Sequence, residues 1–234
     1  MRRPVRQRGV VARSAGQFFT QYDRVGRTYT KAKRSGPPLD YRLAFRARLP
    51  RSLKGKRALD AGCGYGPDLA DLARRGAEVY GIDPSPTMIE LARRLSPAFA
   101  NLSVQRVRRT NFPDRFFDLV ISIYAFHNEP NLKPAFREVH RILKPGGLFL
   151  YVVQHPLFVF QAKPTKVYHE QEVFRFDIPK AFPPVKISQP SHTLSEYFND
   201  FVLSRFDVLD FAESRDPLPP WFLVKLRKRA SGRR

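Results

Sequence analysis

The stretch RALDAGCGYGPD, residues 57–68, constrains the fold more than any other part of this 234-residue sequence. A short apolar run ends at an aspartate and passes at once into three glycines at alternate positions. Glycines spaced in this way let a chain turn sharply and approach a ligand closely at the end of a parallel strand. The stretch therefore predicts a strand, a tight turn and a helix at the ligand-binding edge of an open α/β sheet.

Strand-like and helix-like segments alternate along the chain, which favours a parallel sheet covered by helices. The helix after the second strand has Ser85 as a suitable N-cap and Pro86 in its first turn. Gly76 is placed to end the preceding helix. We expect strands at 57–61, 78–83, 102–107, 117–124 and 146–154, followed by two closing strands in FDVLDF and WFLVKLRK.

Residues 156–190 interrupt this alternation with six prolines and several aromatic residues. Proline disfavours both a helix interior and a central strand, so we expect this insert to lie outside the main sheet. Its aromatic content predicts a cover on the substrate side of a pocket, and a plain surface connector is the alternative. The stretch SHTLSEYFNDFVLSR that follows has the pattern of one helix.

Basic residues outnumber acidic residues by 42 to 21, and the first quarter of the chain is especially basic. Residues 1–15 are expected to form a disordered basic arm, with a contact to RNA or another polyanion and an organellar transit peptide as alternatives. Residues 229–234 form a basic tail that is open to the same alternatives of solvation or contact. The apolar runs are shorter than the roughly 20 residues that span a bilayer. With a single cysteine and no visible set of metal ligands, the sequence predicts a cytoplasmic protein without a membrane partner.

The glycine-rich turn departs from a dinucleotide-binding turn. In the G-x-G-x-x-G pattern the third glycine allows close packing of helix on strand, whereas Pro67 occupies that position here. The carboxylate of Asp60 would repel a pyrophosphate but would attract a ligand with a cationic amine and a sulfonium centre, as S-adenosylmethionine has. Asp83, at the end of the second strand, is placed to accept hydrogen bonds from ribose hydroxyls.

Residues 59–93, LDAGCGYGPDLADLARRGAEVYGIDPSPTMIELAR, resemble motif I and the following acidic strand of class I S-adenosylmethionine-dependent methyltransferases. The resemblance continues through FPDRFFDLVISIYAFHNEP to the fifth strand, and residues 191–213 resemble a later helix and strand of small-molecule, type 11-like members. It implies a three-layer, Rossmann-like α/β fold with a seven-stranded, mostly parallel sheet, an N-terminal helical lid and the insert after the fifth strand. It also implies a single methyltransferase domain over residues 16–228 and S-adenosylmethionine as the cofactor.

The resemblance further implies roles for individual residues. Gly62 and Gly64 would lie under the methionine part of the cofactor, Asp60 near its amine and Asp83 on its ribose. Many relatives have an acid after the third strand to accept from the adenine amino group. This sequence has Arg106, Arg108 and Arg109 there and no acid, which leaves backbone groups or Asn111. The other expected cofactor contacts are Ala61, Tyr124, Pro84, Met88, Tyr22 and Tyr29, and ordinary packing is the alternative for the last three.

Methyl transfer gains much of its rate from positioning the nucleophile, and a general base is needed mainly where the acceptor is protonated. His127 and His155 follow the fourth and fifth strands, so they are the best-placed candidates for such a catalytic base; a hydrogen bond to a backbone carbonyl is the alternative for each. The sequence thus predicts methyl transfer to N or O of a small molecule or peptide side chain. An RNA methyltransferase and a non-catalytic, basic nucleic-acid-binding or scaffold protein are the alternative functions.

Overall fold

A computed structural model describes residues 17–34, 40–99, 101–177 and 183–230, so the predicted basic arm and the last four residues of the predicted tail lie outside the described residues. The strands are β1 (Arg57–Ala61), β2 (Glu78–Asp83), β3 (Leu102–Val104), β4 (Phe117–Ile123), β5 (Leu143–Gln154), β6 (Val173–Asp177), β7 (Lys186–Pro190), β8 (Phe206–Glu213) and β9 (Trp221–Lys228). Seven of them form one sheet in the order β3-β2-β1-β4-β5-β9-β8. In that sheet β9 is antiparallel to both of its neighbours, β5 and β8, and every other pair is parallel, which confirms the seven-stranded, mostly parallel fold.

Helices cover both faces of the sheet. They are α1 (Gln17–Arg34), α2 (Asp40–Arg48), α3 (Leu69–Arg74), α4 (Pro86–Leu95), α5 (Leu132–Ile142), α6 (Pro156–Ala162), α7 (Leu194–Tyr197) and α8 (Asp200–Arg205), with a 3₁₀ turn at Phe126–Asn128. Phe136 of α5 and Tyr197 of α7 pack on one face of the sheet, and Phe45 of α2 and Leu72 of α3 pack on the other. The result is the predicted three-layer arrangement. Within the described ranges, no helix is both long and apolar enough to cross a membrane.

Local capping signals place the helix ends where the sequence predicts them. The Ser85 hydroxyl accepts from the Met88 N–H at 3.2 Å, and Pro86 begins α4. Gly76 has a φ of +90° and its N–H donates to the Ala73 carbonyl at 2.8 Å. Residues 191–205 form two short helices instead of one, because the Asn199 side chain accepts from the Val202 N–H and starts α8.

The insert after β5 lies outside the main sheet, as the prolines predict, but it contains regular structure that the sequence analysis did not predict. Pro156 begins helix α6 and Pro190 ends strand β7, two positions that tolerate proline. Strands β6 and β7 pair only with each other, as an antiparallel hairpin. The hairpin contacts α1, where the Gln21 side chain accepts from the N–H of Ser188 at 2.8 Å and donates to its carbonyl at 2.9 Å.

Candidate functional site

A cleft of ≈ 670 Å³ lies at the carboxyl ends of β1, β2 and β4, with α1 forming part of its wall. A smaller lobe of ≈ 460 Å³ adjoins it, and the two share Tyr29, Gly62, Gly64 and Tyr124 among their lining residues. This is the edge at which open α/β sheets bind ligands. Of the residues expected to bind the cofactor, the structure brings to the cleft Tyr22, Tyr29, Ala61, Gly62, Gly64, Asp83, Pro84, Met88 and Tyr124, and to the adjoining lobe Asp60.

The glycine-rich turn holds the backbone in a shape that side chains would prevent. Gly62 has a φ of +87°, and a Cβ atom there would lie 2.1 Å from the Cβ of Ala125. Gly64 has a φ of +54°, but a Cβ atom there would meet nothing within 4 Å. The turn is pinned because the Gly62 N–H donates to the Ile82 carbonyl at 2.7 Å. Gly62 therefore packs the turn against the chain after β4, and Gly64 presents bare backbone to the cleft.

Asp83 is fixed by two backbone donors at the end of β2. Its carboxylate oxygens accept from the Gly64 N–H at 3.0 Å and from the Ser85 N–H at 2.9 Å. Burial raises the pKa of Asp83 to about 6, against the opposing effect of these two donors. Each carboxylate oxygen can accept a second hydrogen bond, so the ionised side chain can still bind two hydroxyls of a ligand.

Asp60 is a buried carboxyl that lines the adjoining lobe. Burial and the nearby Asp68 raise its pKa well above the ordinary range, and Arg42 opposes this shift. Arg42 is itself ion-paired with Asp68 in the same lobe. A buried carboxyl of this kind suits a cationic amine, which would relieve the cost of ionising it. The sequence analysis missed Arg42 and Asp68, although Asp68 closes the glycine-rich stretch itself.

The structure does not bring His155 to the cleft. Its Nδ1 accepts from the Leu157 N–H at 3.0 Å and so caps helix α6, while its Nε2 lies 2.7 Å from the Glu213 carboxylate, to which it donates. The side chain is only 1% exposed. Both ring nitrogens are engaged in contacts to α6 and β8. The geometry therefore does not support the predicted role of His155 as a catalytic base.

His127 is also absent from the lining of the cleft. Its Nε2 donates to the side-chain amide oxygen Oε1 of Gln189 at 3.0 Å, which ties the turn after β4 to the hairpin strand β7. Burial lowers the pKa of His127 to about 3, with a further lowering from nearby His192. The ring is therefore neutral at pH 7 and a weak base, and it serves to join two segments.

Residues that the sequence analysis did not select form the end of the cleft beyond Asp83. Gln105, Arg106 and Glu129 line it, and Asn111 does not. The Asn111 N–H instead donates to the Gln105 side chain at 2.7 Å, which turns the chain away after a strand β3 that ends three residues earlier than predicted. The further lining residues that were missed are Phe18, Val107, Ile123, Ala125 and Asn128. The sequence signal that could have identified Asn128 and Glu129 is that they are polar residues shortly after a strand.

Tyr124 follows β4 in a strained backbone conformation, with a φ of +52°. Its N–H donates to the Val152 carbonyl at 2.9 Å, and its ring lies 4.6 Å from that of Tyr41. Such a conformation costs about 1–3 kcal/mol in a residue other than glycine and is found preferentially at ligand sites. The neighbouring strand and ring hold it in place beside the cleft.

The strand order, the glycine-rich turn and the acids that end β1 and β2 define the fold and cleft of a class I S-adenosylmethionine-dependent methyltransferase. Comparison with known proteins agrees, because residues 59–151 match a family described as "Methyltransferase domain". Residues 59–151 are thus similar to methyltransferase domains, and the sheet around them has the fold of this class.

Curated relatives are similar to this chain over less than half of its length. The demethylmenaquinone methyltransferase of Tropheryma whipplei (strain Twist) is 37% identical over 107 residues, which are 44% of this chain and 44% of that protein. The fatty-acid O-methyltransferase of Mycolicibacterium smegmatis is 36% identical over 109 residues, 45% of this chain and 40% of that protein. The matched regions therefore span less than half the length of either relative.

Solved structures match more of the chain and show the fold. A putative S-adenosylmethionine-dependent methyltransferase from Listeria monocytogenes has a TM-score of 0.66 and 21% identity over 80% of this chain and 97% of its own. The putative methyltransferase solved with the Trm112 activator of Haloferax volcanii has a TM-score of 0.70 and 19% identity over 93% of this chain and 100% of its own.

Proposed function

We propose that this protein transfers a methyl group from S-adenosylmethionine to N or O of a small molecule or peptide side chain. The observation that carries the proposal is the pair of buried acids, Asp60 and Asp83, which face adjoining parts of one cleft on either side of the glycine-rich turn. Bound S-adenosylmethionine would supply a methyl group on a positively charged sulfur, ready for displacement. A cationic ligand suits a cleft whose buried side chains include two carboxyls.

Different residues of the cleft would bind different parts of the cofactor. Asp60 would accept from the ligand amine, and Asp83 would accept from the two ribose hydroxyls while its backbone donors hold it in place. Gly64 would let the ligand approach the backbone, since no side chain intervenes. These residues would hold the cofactor so that its methyl group faces the remaining open space of the cleft, which is the main requirement for an in-line displacement.

Aromatic side chains from α1 would cover the acceptor and exclude water. The rings of Tyr22 and Tyr29 meet edge to face at 5.5 Å, and Phe18 lines the same cleft. Burial raises the pKa of both tyrosines above the ordinary value, so each remains a neutral phenol that can orient a substrate by hydrogen bonding. With no histidine in the described lining, positioning of an already nucleophilic acceptor is the mechanism that this geometry favours.

The names of the relatives support a small acceptor. The two curated relatives described above are named for a menaquinone precursor and for fatty acids. Both acceptors are largely apolar, in keeping with the aromatic cover of this cleft. The comparisons give no support to the RNA contact that the basic N-terminal quarter suggested.

The test combines binding with transfer. Calorimetric titration with S-adenosylhomocysteine should show one site in the wild type, and Asp83→Ala should weaken it by about 1–3 kcal/mol, as expected for hydrogen bonds to a charged group. Labelled S-adenosylmethionine should methylate a component of a metabolite or peptide pool, and Asp83→Ala should lose most of that transfer at limiting cofactor. Asp207→Ala, which removes a carboxylate of β8 outside the cleft, is the matched control. Absence of binding, or transfer to an RNA pool alone, would overturn the proposal.

A further inference from the structure

The cleft continues past Asp83 into a space lined by Pro84, Met88 and residues 105–107, with Asn128 and Glu129 also in the lining. If Asp60 holds the amine of the cofactor and Asp83 its ribose, the adenine must enter this space. Adenine presents an amino group that donates hydrogen bonds from its edge. Recognition of adenine therefore calls for an acceptor in this part of the cleft.

The residues after β3 do not supply that acceptor. The Gln105 side chain is engaged within its own loop, since it donates to the Ser103 hydroxyl at 2.8 Å and accepts from the Asn111 N–H at 2.7 Å. Arg106 lines the cleft but can only donate, so its positive charge opposes an amino group. This segment thus contributes no side-chain oxygen that is available to the base.

The turn after β4 supplies two such oxygens. Oε2 of Glu129 and Oδ1 of Asn128 are buried and have no hydrogen-bond partner among the described residues. Glu129 is only 2% exposed, and both residues line the cleft. A buried polar atom without a partner costs free energy unless a ligand satisfies it.

The positive charges nearest to Glu129 come from the segment after β3. Burial raises the pKa of Glu129 to about 7, and the charges that oppose this rise are those of Arg108 and Arg106. Both arginines follow β3, so the Glu129 carboxyl lies close to the segment that would flank the base. Glu129 and residues 105–107 of this segment line the same cleft.

We propose that Glu129 recognises the adenine of the cofactor. Its carboxyl oxygen accepts a hydrogen bond from the amino group of the base. The acid thus comes from the turn after β4 instead of from the loop after β3, and Asn128 supplies a second acceptor beside it. This inference rests on the proposed function, because it assumes that an adenosyl cofactor occupies the cleft. Glu129 thus determines the selectivity for the base, and Asp83 binds the ribose.

The test compares S-adenosylhomocysteine with S-inosylhomocysteine, in which a carbonyl oxygen replaces the amino group. The wild type should prefer the adenine compound by about 10-fold to 100-fold, the expected effect of one hydrogen bond to a charged group. Glu129→Gln should bring that preference close to unity, since its amide can pair with either base. Glu129→Ala should also lose the preference. The matched control is Asp83→Ala, which should weaken both compounds by the same factor and keep the preference.

Melting temperatures near that of the wild type would show that both variants fold. The isosteric Gln removes the charge and replaces one carboxyl oxygen with an amide donor. A wild-type preference that persists in folded Glu129→Gln and Glu129→Ala would overturn the inference. The inference would also fail if the preference persisted while methyl transfer collapsed, because Glu129 would then face the acceptor. Failure of the wild type to bind S-adenosylhomocysteine at all would instead identify a failure of the proposed function.

Discussion

At the scale of single residues, Gly62 and Gly64 share a left-handed backbone but meet different surroundings. In Gly62→Ala the new methyl group would lie 2.1 Å from the Cβ of Ala125. We expect the free energy of unfolding to fall by about 3 kcal/mol, from backbone strain and overpacking together. In Gly64→Ala the left-handed backbone costs only about 1–2 kcal/mol. The new methyl group of that variant enters the cleft, however, so affinity for S-adenosylhomocysteine should drop more than stability. Thermal unfolding and calorimetry measure both, and equal melting temperatures would contradict this prediction.

The ionisation of Asp83 makes ligand affinity depend on pH. Burial raises the pKa of its carboxyl to about 6 in the folded protein, above the ordinary value, so protonation favours the fold at acid pH and this contribution is lost as pH rises through that value. Ribose hydroxyls need the ionised form as acceptor. Affinity for S-adenosylhomocysteine should therefore fall about tenfold from about pH 7 to about pH 5. Asp83→Asn should flatten that part of the profile while the contribution of Asp60 remains. Superimposable profiles for the two proteins would refute the assignment.

At the scale of helices and strands, His155 connects three elements. It directly follows β5, caps α6 through the Leu157 N–H and bonds to Glu213 of β8. His155→Ala should therefore lower the free energy of unfolding by about 1–2 kcal/mol, as loss of an N-cap does. His155→Asn should recover part of this loss, because asparagine can still cap the helix. Cofactor affinity and turnover should remain near those of the wild type in both variants. A large loss of turnover in a stable His155→Asn variant would restore His155 as a catalytic base.

The elements that the sequence predicted well are those specified by neighbouring residues. The glycine-rich turn, the Ser85 cap and the Gly76 stop depend on local backbone chemistry, so their positions could be predicted from the sequence. The early end of β3 depends on the bond between Gln105 and Asn111 across a loop. The break between α7 and α8 depends on whether Asn199 continues a helix or caps a new one, and the repeating apolar pattern does not distinguish these.

The residues of the candidate site also fall into those that local sequence could predict and those that it could not. Asp60 and Asp83 could be selected because a side chain at the tip of a parallel strand is already at the binding edge. His127 and His155 follow strands too, but their partners, Gln189 and Glu213, are distant in sequence and turn both rings away from the cleft. Glu129 carries no motif, and its position in the cleft follows only from tertiary packing. The position of a residue at a strand end therefore predicts that it lies at the binding edge of the sheet. Whether its side chain points into the cleft depends on tertiary contacts that the sequence does not reveal.

At the scale of the whole molecule, α1 is attached on two sides of the cleft that it covers. On one side, Asp23 accepts from the Thr87 N–H at 3.4 Å and its backbone carbonyl accepts from the Thr87 hydroxyl at 3.2 Å, beside the start of α4. On the other side, Gln21 bonds to both backbone groups of Ser188 in the hairpin. Tyr22 and Tyr29 lie in the same helix and line the cleft. Movement of α1 would therefore open the cleft and would have to break these attachments.

Loosening the attachment to the hairpin should speed ligand release. Gln21→Leu keeps a side chain of similar size but leaves the Ser188 N–H and carbonyl unpaired, at a cost of about 1–3 kcal/mol. We expect the dissociation rate of S-adenosylhomocysteine to rise about tenfold and the Ser188 amide to exchange faster with solvent, with a smaller change in the association rate. Arg24→Leu, at an exposed position of the same helix, is the matched control and should leave both rates unchanged. Stopped-flow release and hydrogen exchange measure these effects. If release from Gln21→Leu matched that from the wild type while the Ser188 amide exchanged faster, the hairpin would be attached to α1 without controlling access to the cleft.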